Sequence, residues 1–419
     1  MLDRSRLDAQ GASAVATVPT SDDLSVAEAA GESEPMTTAV FPVSYVPGEA
    51  DDQPEVGAGL CLSGGGSRAM VFHLGALIRL NELGLLQGLK RVSGVSGGSI
   101  TAAVLGIRWR ELDFPDGSDV ASNLHELVVA PVEAFAGERI DVLSVVQGVL
   151  LPFVNAADRL DAAFNEHLYH DKTLQDLPTD DQGPRFIFNA TNLGSSVLWR
   201  FSRPYTWDWR VGQIANPTFR ISTAVAASAA FPPFFAPLEL DVQPDQFEPG
   251  SGAGLERPEY QRKVRLADGG VYDNLALETV FKRYRTVFAS DGGGQIADDA
   301  SPPTDWVRET LRMTSVIDHQ VRSLRKRLLI AAYKRKDRAG AYWGIRQQLS
   351  LDGPPGQLPC PIDKTMELAN LPTRLDGMAP AIRRRLVNWG YAVADAEIRT
   401  WYDRNLPEPS GFPYAGGVG

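Results

Sequence analysis

Four times along this chain a short apolar run ends in a cluster of glycines. Gly59-Leu-Cys-Leu-Ser63 runs into Gly64, Gly65 and Gly66, and Arg91-Val-Ser93 runs into Gly94-Val-Ser-Gly-Gly98. Lys263-Val-Arg-Leu-Ala-Asp268 and Thr286-Val-Phe-Ala-Ser-Asp291 each stop at Asp-Gly-Gly. The first two clusters precede apolar residues at helical spacing: Val71, Leu74, Leu77, Ile78, Leu80 and Leu83 within Met70–Leu83, then the run Ile100 to Leu105. Pro184 to Ala190 reads as another strand. Strands alternating with helices predict an α/β fold with a largely parallel sheet. Ligands of such sheets gather beyond the carboxyl ends of the strands, which is where these glycines lie.

The chain has 419 residues and a net charge of −11. An acidic balance speaks against a nucleic-acid polymer as partner. The charge is unevenly placed. Residues 1–56 hold eleven acidic and two basic side chains, so nine of the eleven net negative charges lie there. This stretch has no sustained periodicity and reads as an acidic, largely disordered tail, with Phe41 to Val46 a short strand or docking segment. The expected folded body is 57–406, with a helix-rich insertion at about 110–184 and a helical region at about 304–406. Residues 407–419, rich in Pro and Gly, read as a loose end. Cys61 and Cys360 form neither a disulfide framework nor a metal site, and a reducing, cytoplasmic setting is the default. The N-terminus has no apolar signal core, and no run of about 18 apolar residues occurs.

Gly94-Val95-Ser96-Gly97-Gly98 fits G-x-S-x-G. Small neighbours let a strand turn sharply into a helix and lift the serine clear of the sheet. The alternative is a plain strand-to-helix turn. Ser63-Gly64-Gly65-Gly66-Ser67-Arg68 lies at the first strand-to-helix junction. Consecutive glycines let backbone N–H groups converge as an oxyanion hole requires, and Arg68 adds positive charge. The motif lacks the Lys-Ser/Thr ending of a P-loop and is not G-x-G-x-x-G, so a nucleotide cofactor is disfavoured. Close helix–sheet packing is its structural alternative. A serine nucleophile needs a base. Of the five histidines only His319 follows both Asp-Gly-Gly motifs, in a highly basic amphipathic stretch where a surface or helix-packing role fits better. A Ser–Asp dyad is the better reading, with Asp268 or Asp291 as base; either aspartate also suits a turn or helix cap.

Together these residues resemble the patatin-like phospholipase family, of bacterial type. The resemblance runs from about Val56 through Asp291 and more loosely to about Trp343. Gly64, Gly65, Gly66 and Arg68 match the family's oxyanion motif, with Ser67 inside it. Gly94, Ser96 and Gly98 match its serine motif. Asp268, Gly269 and Gly270, continuing into Val271-Tyr-Asp-Asn274, match its Asp-Gly-Gly/Ala segment. Phe188 to Asn192 and Ala226 to Pro232 also resemble family segments, while Ala69 stands where many members carry glycine. The resemblance implies a three-layer α/β/α sandwich, a Ser96–Asp268 dyad rather than Ser96–Asp291, no metal or other cofactor, and hydrolysis of acyl esters in phospholipids or lysophospholipids. Other readings are a serine esterase on soluble substrates, and a membrane-damaging effector or toxin whose lipase needs an activator. The oligomeric state is left open.

Such an enzyme would visit a membrane surface transiently. Trp306 to Arg338 carries apolar residues at Val307, Leu311, Ile317, Val321, Leu324 and Leu328, and eight cations from Arg322 to Arg338 (Arg322, Arg325, Lys326, Arg327, Lys334, Arg335, Lys336, Arg338). A basic amphipathic helix suits an anionic membrane, and a core-packed helix with a solvated basic face explains the same pattern. Ile140 to Val154 and Phe231 to Phe235 are apolar enough for an acyl channel or for ordinary core.

Overall fold

The computed structural model describes residues 54–138, 156–232, 235–373 and 377–419. The acidic tail up to residue 53, with Phe41–Val46, the segment Ile140–Val154 and the middle of Phe231–Phe235 lie outside the described residues.

The predicted strands form a single sheet in the order β10-β9-β1-β2-β3 and onward to β4-β5-β6. β1 is Glu55–Leu62, β2 Leu89–Gly94, β3 Arg185–Asn192, β9 Tyr284–Asp291 and β10 Ala339–Gly344; these five are parallel. Beyond β3 the sheet turns antiparallel through β4 (Val197–Phe201), β5 (Tyr205–Asp208) and β6 (Gly212–Ala215). β8 (Val264–Asp268) also pairs antiparallel with β3, and β7 (Leu238–Leu240) with β8. The longer helices are α1 (Gly66–Glu82), α2 (Gly97–Arg108), α3 (Ala130–Gly137), α4 (Ala156–Phe164), α5 (Ile221–Ala229), α6 (Trp306–Arg335), α7 (Ile362–Ala369) and α8 (Pro380–Glu397).

Alternation along the central strands covers both faces of the sheet. Leu60, Leu62, Phe288 and Trp343 join the core under α1, α2 and α8, whereas Cys61, Val287 and Ala289 pack with Val280 and with Leu329 of α6. Helices on both sides of a mostly parallel centre make the three layers that the family resemblance implies. β10 interrupts the expected helical region 304–406; its sequence, Ala-Gly-Ala-Tyr-Trp-Gly, carries no β-branched residue to announce a strand.

α1 and α8 cross at a pair of glycines. A Cβ on Gly75 would stand 1.9 Å from the Val387 carbonyl oxygen, and one on Gly390 1.9 Å from that of Phe72. Next to this crossing the buried Asp395 accepts hydrogen bonds from Arg79 and Arg399 at 2.9 and 3.0 Å. The segment 407–419 is not the loose end its composition suggests. Asn388 of α8 donates to the carbonyls of Tyr414 and Gly417 and accepts from the Tyr414 N–H, while the Tyr414 hydroxyl donates to Glu133 and Val418 is buried. One buried amide side chain satisfies three backbone groups and holds the terminal turn against α3 and α8.

The glycine crossing yields a stability prediction. Gly390→Val should cost about 3 kcal/mol in urea unfolding, because the clash is with backbone that cannot rotate away. Gly88→Ala, at an exposed position with its nearest atom 3.9 Å from the added methyl, should change stability by less than about 0.5 kcal/mol.

Candidate active site

β3 is a ruler shared by two strands. Its first half pairs with β2, ending at Phe188 opposite Gly94; its second half pairs with β8, with Ala190 opposite Asp268. Ser96 lies two residues past Gly94, so it reaches the same level of the sheet as Asp268, where β2 has ended and β8 has begun. The Asp268 carboxylate accepts a hydrogen bond from the Ser96 side chain.

Ser96 sits between β2 and α2 at φ 52°, ψ −122°, a left-handed strained conformation for a residue with a side chain, typically costing about 1–3 kcal/mol. Its N–H is held by Ser228 of α5, through the side-chain oxygen at 3.0 Å and the carbonyl at 3.2 Å. The Ser228 hydroxyl donates to the Asn189 carbonyl at 2.6 Å, and Asn189 in turn donates to Ser93 and to the Gly94 carbonyl. Ser228 and Asn189 thus position the serine turn. Both fall inside the segments quoted for the family resemblance, but nothing in their local spacing marks them. Gly97 and Gly98 are needed where α2 passes the first strand: Cβ atoms there would stand 2.2 Å from the Gly66 carbonyl oxygen and 2.1 Å from that of Leu62. The N-termini of α1 and α2 therefore meet beside Ser96, and their dipoles favour negative charge there.

Asp268 ends β8 and Gly269–Gly270 turn the chain away. The Asp268 Oδ1 accepts the Gly270 N–H at 2.7 Å. Burial, opposed by this bond and by Ser96, pushes the carboxyl up to about 7. Among the described residues no cation pairs with it. Asp291 has the opposite surroundings. Although buried, it meets Lys326 Nζ at 2.5 Å and accepts from the Tyr342 hydroxyl at 2.7 Å and the Gly293 N–H at 2.9 Å. Desolvation is outweighed by Lys326 and Arg322, which hold this carboxyl well below the usual range. His73 is a neutral imidazole, pushed by burial down to about 4. Nε2 meets the Ser63 carbonyl at 2.9 Å, so it carries the proton, and Nδ1 accepts from the Ser290 hydroxyl at 2.7 Å.

The glycine loop divides its work. The Gly64 N–H donates to the Asn274 carbonyl at 3.0 Å, so this amide is engaged in structure. Among the described residues the N–H groups of Gly65 and Gly66 meet no acceptor. Ser67 opens the first turn of α1. Arg68 does not point its charge at the serine. Its guanidinium donates to the carbonyls of Ala369 and Leu371 at 2.8 Å each and to that of Gly292 at 3.1 Å, tying the chain after α7 to the loop after β9. The expectation that Gly64 and Arg68 serve an oxyanion hole gives way to a bracing role for both, because the Gly64 N–H and both terminal nitrogens of Arg68 are already engaged.

The model of the patatin-like phospholipase family matches residues 60–281, just over half of the chain. The chain belongs to that family. Among solved structures it is similar to human GIVD cytosolic phospholipase A2 in complex with methyl gamma-linolenyl fluorophosphonate, at 16% identity and TM-score 0.44, over 81% of this chain and 57% of that one. It is also similar to VipD from Legionella pneumophila, at 16% identity and TM-score 0.33, over 81% of this chain and 66% of that one. The chain thus spans less than two thirds of the length of these structures. A search of the curated proteins found no match. Ala69, the departure from the family's usual glycine, is accommodated by glycines around it: Cβ atoms on Gly65 and Gly292 would stand 2.9 and 2.6 Å from the Ala69 methyl.

In this patatin-like chain the fold prefers Asp268 protonated. An unfolded aspartate ionises near 3.9, so Asp268 favours the folded state fully below that pH and loses this contribution as pH rises through about 7. Asp268→Asn should therefore gain little stability relative to wild type at pH 4 and progressively more up to pH 8. Equal differences in unfolding free energy at both pH values would contradict the burial argument.

Proposed function

We propose that Ser96 and Asp268 form the catalytic dyad of a lipid acyl hydrolase acting on phospholipids or lysophospholipids. The reading rests on one observation: a strained serine hydrogen-bonded to a buried carboxylate, which meets no cation among the described residues, beside the amides of Gly65 and Gly66, which meet no acceptor there. Asp268 takes the Ser96 proton as Oγ attacks the ester carbonyl carbon. The tetrahedral oxyanion forms under the Gly65 and Gly66 N–H groups; one such donor is typically worth about 3 kcal/mol. The C–O bond to the leaving alcohol then breaks, Asp268 returns the proton to that oxygen, and an acyl-enzyme remains on Ser96. Water attacks it, passing its proton to Asp268 and on to Ser96 as the fatty acid leaves. A carboxyl near pH 7 is populated in both forms at neutral pH, as a group acting as base and acid in turn requires.

Ser96→Ala should lower fatty-acid release from phospholipid vesicles by at least about 10³-fold and abolish labelling by an alkyl fluorophosphonate. In wild type, kcat/KM should rise with pH through an inflection near 7, where Asp268 ionises. An inflection near 4 would remove Asp268 from the role of base.

Substrate access at a membrane is supported by α6. No helix among the described residues is long and apolar enough to cross a membrane, so a lipid substrate has to be met at the surface. Trp306, Met313, Ile317, Leu324 and Leu328 recur at intervals of seven and four residues, hence on one helix face, and all five are exposed. Part of the basic face expected from the sequence turns inward: Arg322 donates to the Gly294 carbonyl, Arg325 pairs with Glu278, and Lys326 pairs with Asp291. The contact with lipid then rests mainly on the apolar stripe, with Arg327 beside it. Ile317→Glu with Leu324→Glu should weaken binding to anionic vesicles about tenfold and leave hydrolysis of a short soluble ester unchanged. Unaltered vesicle binding would dismiss α6 as the contact.

A further inference from the structure

A cleft of about 960 Å³ runs along the edge strand β10 and over the carboxyl ends of β9 and β10. α6 walls one side, and the turn at Ile398–Tyr402 walls the other. Neither Ser96 nor Asp268 lines it. Arg322, Lys326, Lys334, Arg338 and Arg346 face this space, against Asp291, Asp352 and Glu397.

Five cations face three acids in the cleft, and Arg322 also meets Asp318 of its own helix at 3.4 Å. Asp291 is already bound to Lys326 and Tyr342. Glu397 is pushed by burial toward its neutral form and accepts from Gln347 and Trp401. Arg346 donates to the Ala369 carbonyl and to the Asn370 side-chain oxygen, which are both uncharged, and Arg338 to the Phe281 carbonyl. Lys334 makes no ion pair among the described residues. Arg68 lies close behind: burial first, then the charges of Arg346 and Arg322 against the pull of Asp291, hold it down to about 10. Guanidinium groups gathered against neutral carbonyls repel one another, and an anion among them would relieve that repulsion. On the cleft wall Trp401 is 71% exposed, a large flat apolar surface for the body of a ligand.

We infer that this cleft binds a phosphate-bearing ligand, its phosphate between Arg346 and Arg322 and its organic part against Trp401. The volume is within the range that small-molecule sites occupy, about 300–1,000 Å³. The phosphate could arrive on a soluble compound or as a lipid headgroup. Either way the occupant would touch the loop after β9: Arg322 donates to the Gly294 carbonyl, Arg68 to the Gly292 carbonyl, and the Gly292 N–H to Ser63 Oγ. The cleft and the glycine loop beside Ser96 thus share one wall.

Full-length protein would be titrated with adenosine triphosphate, following tryptophan emission, and separately with vesicles of phosphatidylcholine containing phosphatidic acid or, as the uncharged control, diacylglycerol. A soluble ligand predicts saturable binding of the nucleotide, weakened at least tenfold by Arg346→Ala and by the milder Arg346→Gln, with the emission change lost in Trp401→Phe. A headgroup ligand predicts no nucleotide binding but preference for phosphatidic acid over diacylglycerol, reduced at least tenfold by Arg346→Ala. Absence of both, or binding indifferent to these substitutions in folded protein, overturns the inference. No turnover is needed, so the result is independent of the chemistry assigned to Ser96.

Discussion

The site depends on β3 serving two partners in succession along one edge. If β2 ran two residues longer, β8 would have no place beside β3, and Asp268 would lie away from the serine turn. β2 stops because Gly94 leads into a turn that only small neighbours allow, and β8 takes over the vacated edge in the opposite direction. The hydrogen-bonded pair is therefore a consequence of strand register, which a one-residue slip would ruin by turning the side chains to the other face. Ser228 and Asn189 make that register rigid by tying the serine turn to α5 and to β3.

Two Asp-Gly-Gly segments then meet different fates in one sheet. Both aspartates end a strand, both are buried, and in both an Oδ1 accepts the N–H two residues on. What separates them is the side chain that arrives from α6. Lys326 reaches Asp291 and holds it ionised. Among the described residues no cation reaches Asp268, whose carboxyl rises instead. Burial alone destabilises the charged form, and burial with a paired ammonium stabilises it. The difference in proton affinity is thus set by chain distant in sequence.

That distance explains what was legible beforehand. The strand-to-glycine junctions, the two helices that follow them and the central parallel strands could be read because each is specified by neighbours along the chain. The meander β4–β6 and the edge strand β10 could not, since their stability lies in pairing rather than in local pattern. Local spacing left Asp268 and Asp291 open and the resemblance favoured Asp268, but the physical difference between them needed Lys326, and the roles of Gly64 and Arg68 needed the carbonyls of Asn274, Ala369 and Leu371. A glycine run with an arginine announces a turn with donors to place; only the tertiary fold says which donors remain free. The terminal segment is the plainest case: a Pro/Gly-rich composition suggests a loose end, yet Asn388 holds it through three backbone bonds.

α6 shows the same limit in charge rather than in shape. Its positive residues read from sequence as a solvated face. Arg322, Arg325 and Lys326 instead reach inward across the helix, because the loops after β8 and β9 offer them carbonyls and buried carboxylates. The helix is held through these residues and through Leu329, Ala332 and the Tyr333 hydroxyl, which donates to the Val287 carbonyl. All of these anchors lie in its second half. The first half is held by one such bond among the described residues, from Arg312 to the Ala297 carbonyl at 2.8 Å, and there the apolar side chains remain in water, Trp306 at 79% exposure. Internal charge pairing thus moves cations off the surface and leaves an apolar one. A surface of that kind gains more from contact with hydrocarbon than from attraction to anionic headgroups, so the interaction it favours is less sensitive to salt than a count of its arginines and lysines implies.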